Sequence, residues 1–295
     1  MKFLVCTDGS ERSQKVLSLA ASIAAATRAE TTIFGITEEE SEEGKLLETL
    51  KRAQRAFQEQ GIKTDLLTKH GDPVGEIVER TRETRFDLVA IGAERKRSEG
   101  SFLVSAKAYS LISAISAPVL VIPETRFQLK RFLICTGGGT YIDNAVQFAG
   151  QLASDLAATV TLLNVVPEPP AMHAKLIRLE EDVNALLNSN STLGRNLQTA
   201  KAIVERFGLT ADVRIRHGIV MHEILKEIAD GDYDVIVCGS WPLRDPWRHY
   251  VIGNVTREIV SRADRPVLVI RSDKKPSSFM DRARRLIAHL AGHTK

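Results

Sequence analysis

The sequence has little of what marks secreted, membrane-spanning or metal-binding proteins. Its 295 residues include only three cysteines, and each lies within or at the end of an apolar run. No two of them have the spacing of metal ligands, so we expect buried structural thiols and no metal site. No apolar run approaches the length of a membrane span, and the N-terminal segment reaches Asp8 too early for a signal peptide. These features predict a cytoplasmic protein.

A recognisable set of catalytic residues is lacking as well. No serine, histidine and aspartate, and no pair of carboxylates, occur at spacings typical of a catalytic site. We therefore predict no catalytic residue and a protein that is not an enzyme.

Net positive charge is confined to the C-terminal end of the chain. The net charge is +3, but residues 272–295 contain six basic and two acidic residues, which leaves the remainder at −1. A body without a large basic field is not expected to have nucleic acid as its main partner. Hydrophobic residues make up 43% and charged residues 26%, as in ordinary soluble globular proteins.

The basic tail has a helical pattern. Phe279, Ala283, Leu286, Ile287 and Leu290 recur at helical spacing, which predicts an amphipathic helix within residues 273–295. We expect this helix to pack on the body of the protein or on a partner. An anionic membrane surface is the weaker alternative.

The sequence contains two similar copies of one unit. The offset between matching blocks is first 129 residues, then 147 and finally 148, so the order of the blocks is kept with only two changes of length. The blocks include Lys2–Thr7 with Arg131–Thr136, His70-Gly71 with His217-Gly218, and Pro118–Ile122 with Pro266–Ile270. Such a series indicates an internal duplication. The larger length change places an insertion around residues 167–190.

Within each copy, short apolar runs alternate with helical periodicity. In copy one, strands are predicted near 2–7, 31–36, 64–68, 86–92 and 118–122, and helices near 10–27, 44–60, 74–84 and 103–115. In copy two, strands are predicted near 131–136, 159–166, 211–216, 234–239 and 266–270, with longer helices near 175–207. This alternation predicts an α/β protein with helices on both faces of a parallel sheet.

The expected architecture is two tandem, doubly wound, Rossmann-like domains of five strands each, in the order 3-2-1-4-5, followed by the C-terminal amphipathic helix. We place the domains at residues 1–126 and 127–272, and the tail at 273–295. The short connection between the copies implies that they pack together. Their last strands, Val119–Ile122 and Val267–Ile270, are edge strands that need cover, so we expect them to meet. The alternative is that these edges pair with another chain.

The loop after the fourth strand of copy two is the segment most typical of a binding site. Gly239 ends an apolar run, and Gly253-Asn254 opens a helical pattern that contains Thr256. Free N–H groups at a helix N-terminus can hold an anion, and the helix dipole favours negative charge there. An ordinary connecting loop is an equally good interpretation of this segment alone.

Several short motifs resemble those of the universal stress protein family in its tandem two-domain form. They are the T-D-G-S run at 7–10, the two H-G pairs, the F/Y-D dipeptides at 86–87 and 233–234 that lead to a glycine, and G-N-V-T at 253–256 ahead of R-P-V-L-V-I. The resemblance covers nearly the whole chain except the tail. It implies a stress-response protein that binds an adenine nucleotide and acts through changes of partner or assembly rather than fast catalysis.

ATP, with Mg²⁺ as its companion ion, is the cofactor that the resemblance implies. Nucleotide-binding members carry three spaced glycines after strand four, an aspartate after strand one and a valine in strand two. Copy two has Gly239, Gly253 and Val165 at such positions, but Pro242 replaces the middle glycine and Gly137 replaces the aspartate. Its motif is therefore partial.

Copy one departs further from the family pattern. Asp8 and Gly92 match, but Arg95 replaces the middle glycine and Ser105-Ala106 stand where the last glycine and polar residue belong. We therefore expect the nucleotide mainly in the second domain. The predicted binding residues are Gly137, Val165, Gly239, Gly253, Asn254, Val255 and Thr256, with Asp8 from copy one.

Alternatives remain open at this stage. Asp8 is either a nucleoside contact or a cap for a helix that starts at Ser10. The missing glycines favour an interaction or assembly module of the same fold that has lost nucleotide binding, and slow ATP hydrolysis is a third option. The expected partners are an adenine nucleotide and an unidentified protein, with a homodimer as a further option.

Overall fold

A computed structural model gives the fold of the chain. It describes residues 1–11, 13–93, 95–98, 101–104, 106–123, 128–137, 142–166, 183–242, 250–251 and 254–271. The tail helix predicted for 273–295, as well as Gly253 and Ser105, lie outside the described residues.

Copy one follows the predicted alternation of strands and helices closely. Its strands are β1 (Lys2–Thr7), β2 (Glu30–Thr37), β3 (Thr64–His70), β4 (Leu88–Gly92), β5 (Arg95–Ser98), β6 (Ser101–Val104) and β7 (Val119–Ile122). Its helices are α1 (Ser13–Thr27), α2 (Glu43–Glu59), α3 (Pro73–Glu83) and α4 (Ala106–Ala114), with a 3₁₀ turn at Glu40–Glu42 before α2.

Copy two repeats this order, with an addition after its second strand. Its strands are β8 (Arg131–Thr136), β9 (Thr159–Val166), β10 (Ala211–His217), β11 (Val235–Pro242), β12 (Tyr250–Val251) and β13 (Val267–Arg271). Its helices are α5 (Asp143–Asp155), α6 (Val183–Leu187), α7 (Thr192–Glu205), α8 (Val220–Asp230) and α9 (Asn254–Arg262). Helix α6 lies within the insertion predicted around 167–190, whereas α7 occupies the place that α2 has in copy one.

One continuous sheet joins the two copies. Its order is β3-β2-β1-β4-β7-β13-β11-β8-β9-β10, which confirms the 3-2-1-4-5 order in each half. All neighbouring strands are parallel except the central pair, in which β7 and β13 run antiparallel with Leu120 opposite Leu268. The prediction that the last strands of the copies meet is confirmed. Each strand covers an edge that would otherwise expose unpaired backbone groups.

The core has two layers, one on each face of this sheet. Helices α1, α2, α5, α6 and α7 pack on one face, and α3, α4, α8 and α9 on the other. Alternate residues of the central strands enter opposite layers: Leu120 and Leu268 lie in the first, and Val119 and Val267 in the second. This alternation follows from the period of two along a strand, and it merges the cores of the two copies.

The structure contains a β-hairpin that the sequence pattern did not predict. We assigned residues 103–115 to a single helix, but residues 101–104 form β6, which pairs antiparallel with β5, and α4 begins only at Ala106. The run S-F-L-V has no periodicity that separates a strand from a helix. The hairpin lies against α9 of copy two, and β12 lies against α4, so contacts between the copies decide its conformation.

Side chains also hold the copies together at the end of α4. The Arg271 guanidinium, at the end of β13, donates to the Ile115 carbonyl (2.8 Å), the Ile112 carbonyl and the Ser240 hydroxyl (2.8 Å). Cations near a helix C-terminus satisfy its free carbonyls and favour its dipole. The last strand of copy two therefore stabilises a helix of copy one.

The three thiols are buried, as predicted. Cys6, Cys135 and Cys238 are all free cysteines within strands. Burial raises the pKa of each thiol, to about 12 for Cys238, because an apolar environment disfavours the thiolate. Within the described residues no helix is long and apolar enough to cross a bilayer, and no group of three or more metal-ligating side chains comes together.

Candidate functional site

Each copy has a switch point where the strand order reverses, between β1 and β4 and between β8 and β11. Ligands of open α/β sheets bind at the carboxyl ends of the strands at such points. In copy one this edge encloses a cavity of about 850 Å³. Its apolar wall includes Cys6, Val16, Ile36, Ile77, Ile91 and Leu111, and its polar rim includes Asp8, Glu11, Glu38, Glu39, Glu42 and Lys107.

Asp8 lies at the mouth of this cavity, where it closes a tight turn. The Ser10 N–H donates to Asp8 Oδ1 (2.9 Å), and Gly9 between them has a φ of +74°, which favours glycine. Helix α1 starts at Ser13 rather than Ser10, and the Ser13 N–H donates to Ser10 Oγ (3.3 Å). Because α1 does not begin at Ser10, Asp8 does not cap a helix there, and its carboxylate instead accepts from the Ser10 N–H within the turn.

Thr7, the last residue of β1, also lines the cavity. Its side-chain oxygen accepts from the Gly9 N–H (3.1 Å), and only 7% of the residue is exposed. Among the described residues no acceptor receives the Thr7 hydroxyl proton. The matching Thr136 of copy two instead donates its hydroxyl proton to the Leu163 carbonyl (3.1 Å). The two switch points thus differ in whether a described residue accepts the hydroxyl proton of this threonine.

An ion pair spans the rim of the cavity. Lys107 in the first turn of α4 pairs with Glu38, which follows β2. The hydrogen bond to Glu38 raises the pKa of the Lys107 ammonium group. A side-chain carboxylate from the chain itself therefore lies beside the N-terminus of α4, where an anionic ligand would otherwise be favoured.

In copy two the predicted residues come together at one edge of the sheet. Gly137 follows β8, and Val165 lies in β9 one residue beyond the pair formed by Thr136 and Asn164. The Thr256 hydroxyl in the first turn of α9 donates to the Gly239 carbonyl (2.8 Å), which ties this helix to β11 at a residue within the strand.

The remaining predicted residues lie apart, in the first turn of α9 and in copy one. Asn254 and Val255 at the start of α9 are exposed, whereas Thr256 is buried. Asp8 lies in the other half of the sheet, separated from β8 by four strands. Copy one has Ile36 at the position of Val165, and Ile36 lines the cavity.

Apolar side chains pack over the glycine of each switch point, and in copy one Val16 Cγ2 lies 3.2 Å from where a Cβ of Gly92 would stand. In copy two the buried Ile142 packs over Gly239, with its Cδ1 atom 3.6 Å from where a Cβ would stand. The residue 129 positions earlier is Ser13, a much smaller side chain that lines the copy-one cavity.

Sequence reasoning missed most of the residues that line the copy-one cavity. Glu38, Glu39, Glu42 and Lys107 were not predicted as site residues. A usable signal was present, because the acidic run E-E-E-S-E-E at 38–43 directly follows a buried strand that ends at the switch point. Ser13 gave no signal, since nothing in the local sequence indicates that this residue lines a cavity.

A buried charge network lies away from both switch points, between β10 and α8. The carboxylate of Glu227, 1% exposed, accepts from Arg216 Nε (2.5 Å), Arg214 Nη1 (3.0 Å) and the Tyr233 hydroxyl (2.5 Å). Burial alone would raise the pKa of Glu227, but the bonds from Tyr233 and Arg216 outweigh it and lower the pKa. Burial, together with the bond to Glu227, raises the pKa of Tyr233 to about 12.

Comparison with known proteins agrees with this architecture. The family model described as "Universal stress protein family" matches residues 1–123 and again 128–271. Universal stress protein Slr1230 from Synechocystis is 23% identical over 192 residues, which cover 63% of this chain and 58% of that protein. The match therefore spans less than two thirds of that relative's length.

Solved structures show the same fold. A universal stress protein from Archaeoglobus fulgidus superposes with a TM-score of 0.64 and 19% identity, over 92% of this chain and 98% of that one. A protein of unknown function from Pseudomonas aeruginosa superposes with a TM-score of 0.66 and 17% identity, over 99% and 96% of the two chains. Because the family model matches both halves in turn, the chain belongs to the universal stress protein family, as a tandem of two family domains.

Proposed function

We propose that the chain is a cytoplasmic stress-response protein that binds an adenine nucleotide, ATP, mainly in its second domain. It acts through changes of partner or assembly rather than through fast catalysis. Family membership supports the ligand class, and the bond between the first turn of α9 and Gly239 of β11 supports the location. We keep 1–126 and 127–272 as the domain boundaries of this proposal.

The start of α9 fits a phosphate group. The first N–H groups of a helix have no acceptors within the helix, and Asn254 and Val255 are exposed. Their backbone donors, with that of Thr256, would hold the phosphates, and the helix dipole adds to the attraction. Gly137 brings no carboxylate to this edge, so it does not repel phosphate, and Val165 would contact the nucleoside. Mg²⁺ would be held mainly by the phosphates.

Two substitutions test the location. Gly253→Asp places bulk and negative charge at the entrance of α9, so it should abolish ATP binding measured by calorimetry while the circular dichroism spectrum stays unchanged. Asp8→Ala removes a carboxylate from the other domain and should change the affinity for ATP little. The opposite pattern would place the nucleotide in the first domain.

An interaction module without nucleotide is the second candidate. The packing of Ile142 over Gly239 favours it, because this side chain occupies space above the glycine that a nucleotide would approach. The bond from Thr256 to Gly239 also uses the hydroxyl proton that a phosphate would accept. Native mass spectrometry separates the two functions: a retained nucleotide supports the first, whereas an apo mass with no thermal shift in millimolar ATP supports the second.

A further inference from the structure

Strand β3 lies at one end of the sheet, and among the described strands it pairs with β2 alone. This pairing is parallel and keeps one register from Thr64 to His70, and the strand contains neither a bulge nor a proline. A free edge of this kind presents unpaired backbone N–H and C=O groups to any further strand. The edge of β3 is therefore open to pairing.

Hydrogen bonds at the two ends of β3 show which backbone groups point away from β2. The Lys63 carbonyl accepts from the Thr31 N–H (3.0 Å) just before the strand begins. Just after the strand ends, the Gly71 N–H donates to the Thr37 carbonyl (2.9 Å). Alternate residues of a strand direct their backbone groups to opposite sides, so the odd-numbered residues face β2. The even-numbered residues, such as Leu66, face the open side.

The side chains of β3 are apolar at its centre and oppositely charged on either side of it. Leu66 and Leu67 are partly exposed and pack against different core layers, one on each face of the sheet. Asp65 and Lys69 are exposed, and they lie on the same face as Leu67 because they are two residues away from it. Asp65 has no ion-pair partner among the described residues. Lys69 pairs with Glu76 (3.1 Å) but remains 49% exposed, so its ammonium group can meet a second carboxylate.

The order of these groups is complementary to itself. If two β3 strands run antiparallel about a twofold axis at Leu67, Asp65 of each copy lies opposite Lys69 of the other. The two Leu67 side chains then meet on the axis. Leu66 lies opposite Thr68 of the second copy as a hydrogen-bonded pair, and the two such pairs supply about four backbone hydrogen bonds.

Charge also disfavours the neighbouring registers. An axis at Leu66 would place Lys63 opposite Lys69, and like charges directly opposite each other are destabilising. An axis at Thr68 would place Asp65 opposite Gly71, so the carboxylate would have no cation opposite it. The register about Leu67 is therefore the favoured one.

Helix α2 provides a second contact beside the strand. Its Glu43 carboxylate accepts from the Thr68 hydroxyl (3.0 Å), and its Gln54 amide donates to the Thr64 carbonyl (2.9 Å). This side of α2, which includes the partly exposed Leu47, therefore lies towards the open edge. Because α2 packs over both β2 and β3, two copies of α2 would lie about 10 Å apart, a usual packing distance for helices.

The strand at the opposite end of the sheet lacks these features. Arg214 of β10 stands where Leu67 stands in β3, so the same pairing would bring two guanidinium groups together. Arg214 also bonds to Glu227 (3.0 Å), and helix α6 lies against β10. Of the two terminal strands described, β3 is therefore the one suited to self-association.

We propose that the chain forms a twofold symmetric dimer in which the β3 strands of two copies pair antiparallel about Leu67. The two sheets then join into one continuous sheet. Both copies use the same surface, so the assembly closes at two chains instead of growing into a filament. This inference does not depend on the nucleotide proposed above.

An engineered disulfide tests the register. Leu67→Cys places two thiols at the axis, where the Cα atoms of a non-hydrogen-bonded pair lie about 4.5 Å apart and can be bridged. Thr68→Cys is the control, because two such positions would be staggered to about 8 Å, beyond the reach of a disulfide. The native thiols are buried and should not compete. Mild oxidation of the folded chain should therefore cross-link Leu67→Cys at least about tenfold more than Thr68→Cys, as measured on a non-reducing gel.

A charge swap tests the complementarity, with sedimentation velocity at micromolar to submillimolar concentrations as the measurement. Asp65→Lys should weaken dimerisation by about four- to twenty-fivefold, because each of the two symmetric charge contacts is worth roughly two- to fivefold. Addition of Lys69→Asp restores the pair in reverse order and should return the affinity to within about threefold of the native value. Asp212→Lys makes the same change at the matching position of β10 and should leave dimerisation unchanged. Asp65 and Asp212 are both exposed, and thermal unfolding reports whether the variants fold.

Several results would overturn the proposal. A chain that stays monomeric at submillimolar concentration would do so, as would equal cross-linking of the two cysteine variants. A dimer that Asp65→Lys leaves intact, or that the added Lys69→Asp fails to restore, would also contradict it. If deletion of 277–295 abolished a dimer that Asp65→Lys did not weaken, association would belong to the basic tail and not to β3.

Discussion

Substitution of the buried carboxylate of Glu227 by an amide should destabilise the second domain strongly. Glu227→Gln keeps the size of the side chain and removes its charge, so Arg214 and Arg216 lose the anion between them. The Tyr233 hydroxyl also loses a charged acceptor. Because Glu227 is 1% exposed, water cannot replace these bonds without a rearrangement of β10 and α8.

The size of the effect follows from the burial of each partner. Breaking a fully buried ion pair by removing one charge costs about 3–5 kcal/mol. Here Arg214 is half exposed and Arg216 is partly exposed, so both guanidinium groups can recover some hydration. We therefore expect a loss of about 2–3 kcal/mol in the free energy of unfolding. Asp230→Asn removes only an exposed partner of Arg216 and should cost less than about 1 kcal/mol.

The pH dependence gives an independent check. The folded-state pKa of Glu227 lies below the ordinary value of 4.5, so its ionised form contributes stability above that pH. This stability is lost as the pH falls from about 4.5 through the lower folded-state pKa. The glutamine variant has no such group and should lose less stability than the native protein between about pH 5 and about pH 3, which bracket the ordinary pKa of 4.5.

Urea denaturation followed by circular dichroism at pH 7 and at several acidic values measures both quantities. Tyr233→Phe isolates the hydroxyl bond and should cost about 1.5–3 kcal/mol, as expected for a hydrogen bond to a charged group. Copy one has Phe86 at the matching position, so the ring alone fits this fold. A Glu227→Gln variant as stable as the native protein at pH 7, with an identical acid profile, would refute the reasoning.

Four further outcomes follow from single features of the chain. Arg271→Leu should lower the free energy of unfolding by about 1–3 kcal/mol, because the C-terminal carbonyls of α4 lose a charged donor; urea denaturation measures this loss. Gly71→Ala should destabilise by roughly 1–2 kcal/mol, since its φ is +145°, whereas Gly44→Ala within α2 should stabilise by about 0.5–1 kcal/mol. Cys238, whose thiol pKa is raised to about 12, should react with a thiol reagent at pH 8 only after unfolding. Strong, salt-sensitive sedimentation with acidic vesicles that is lost on deleting 277–295 would contradict our prediction that the tail docks on protein.

The sequence alone determined the architecture, because the signals for it are local and repeated. Short β-branched runs indicate buried parallel strands, and amphipathic periodicity indicates helices. The observed bounds of β1, β8 and β9 therefore match the predicted ones. Because the unit is duplicated, the sequence pattern of each strand and helix occurs twice. The meeting of β7 with β13 also followed from the sequence, because two short apolar terminal strands must each find cover.

The tertiary structure decided which features of the two copies differ in chemistry. Ser13 and Ile142 occupy matching positions, but only the structure shows that Ser13 lines a cavity in copy one, whereas Ile142 packs against Gly239 in copy two. The hairpin of β5 and β6 depends on its contact with α9, which is about 150 residues away along the chain. Such features arise from side chains that meet across elements distant in sequence, and no local pattern records which groups will meet.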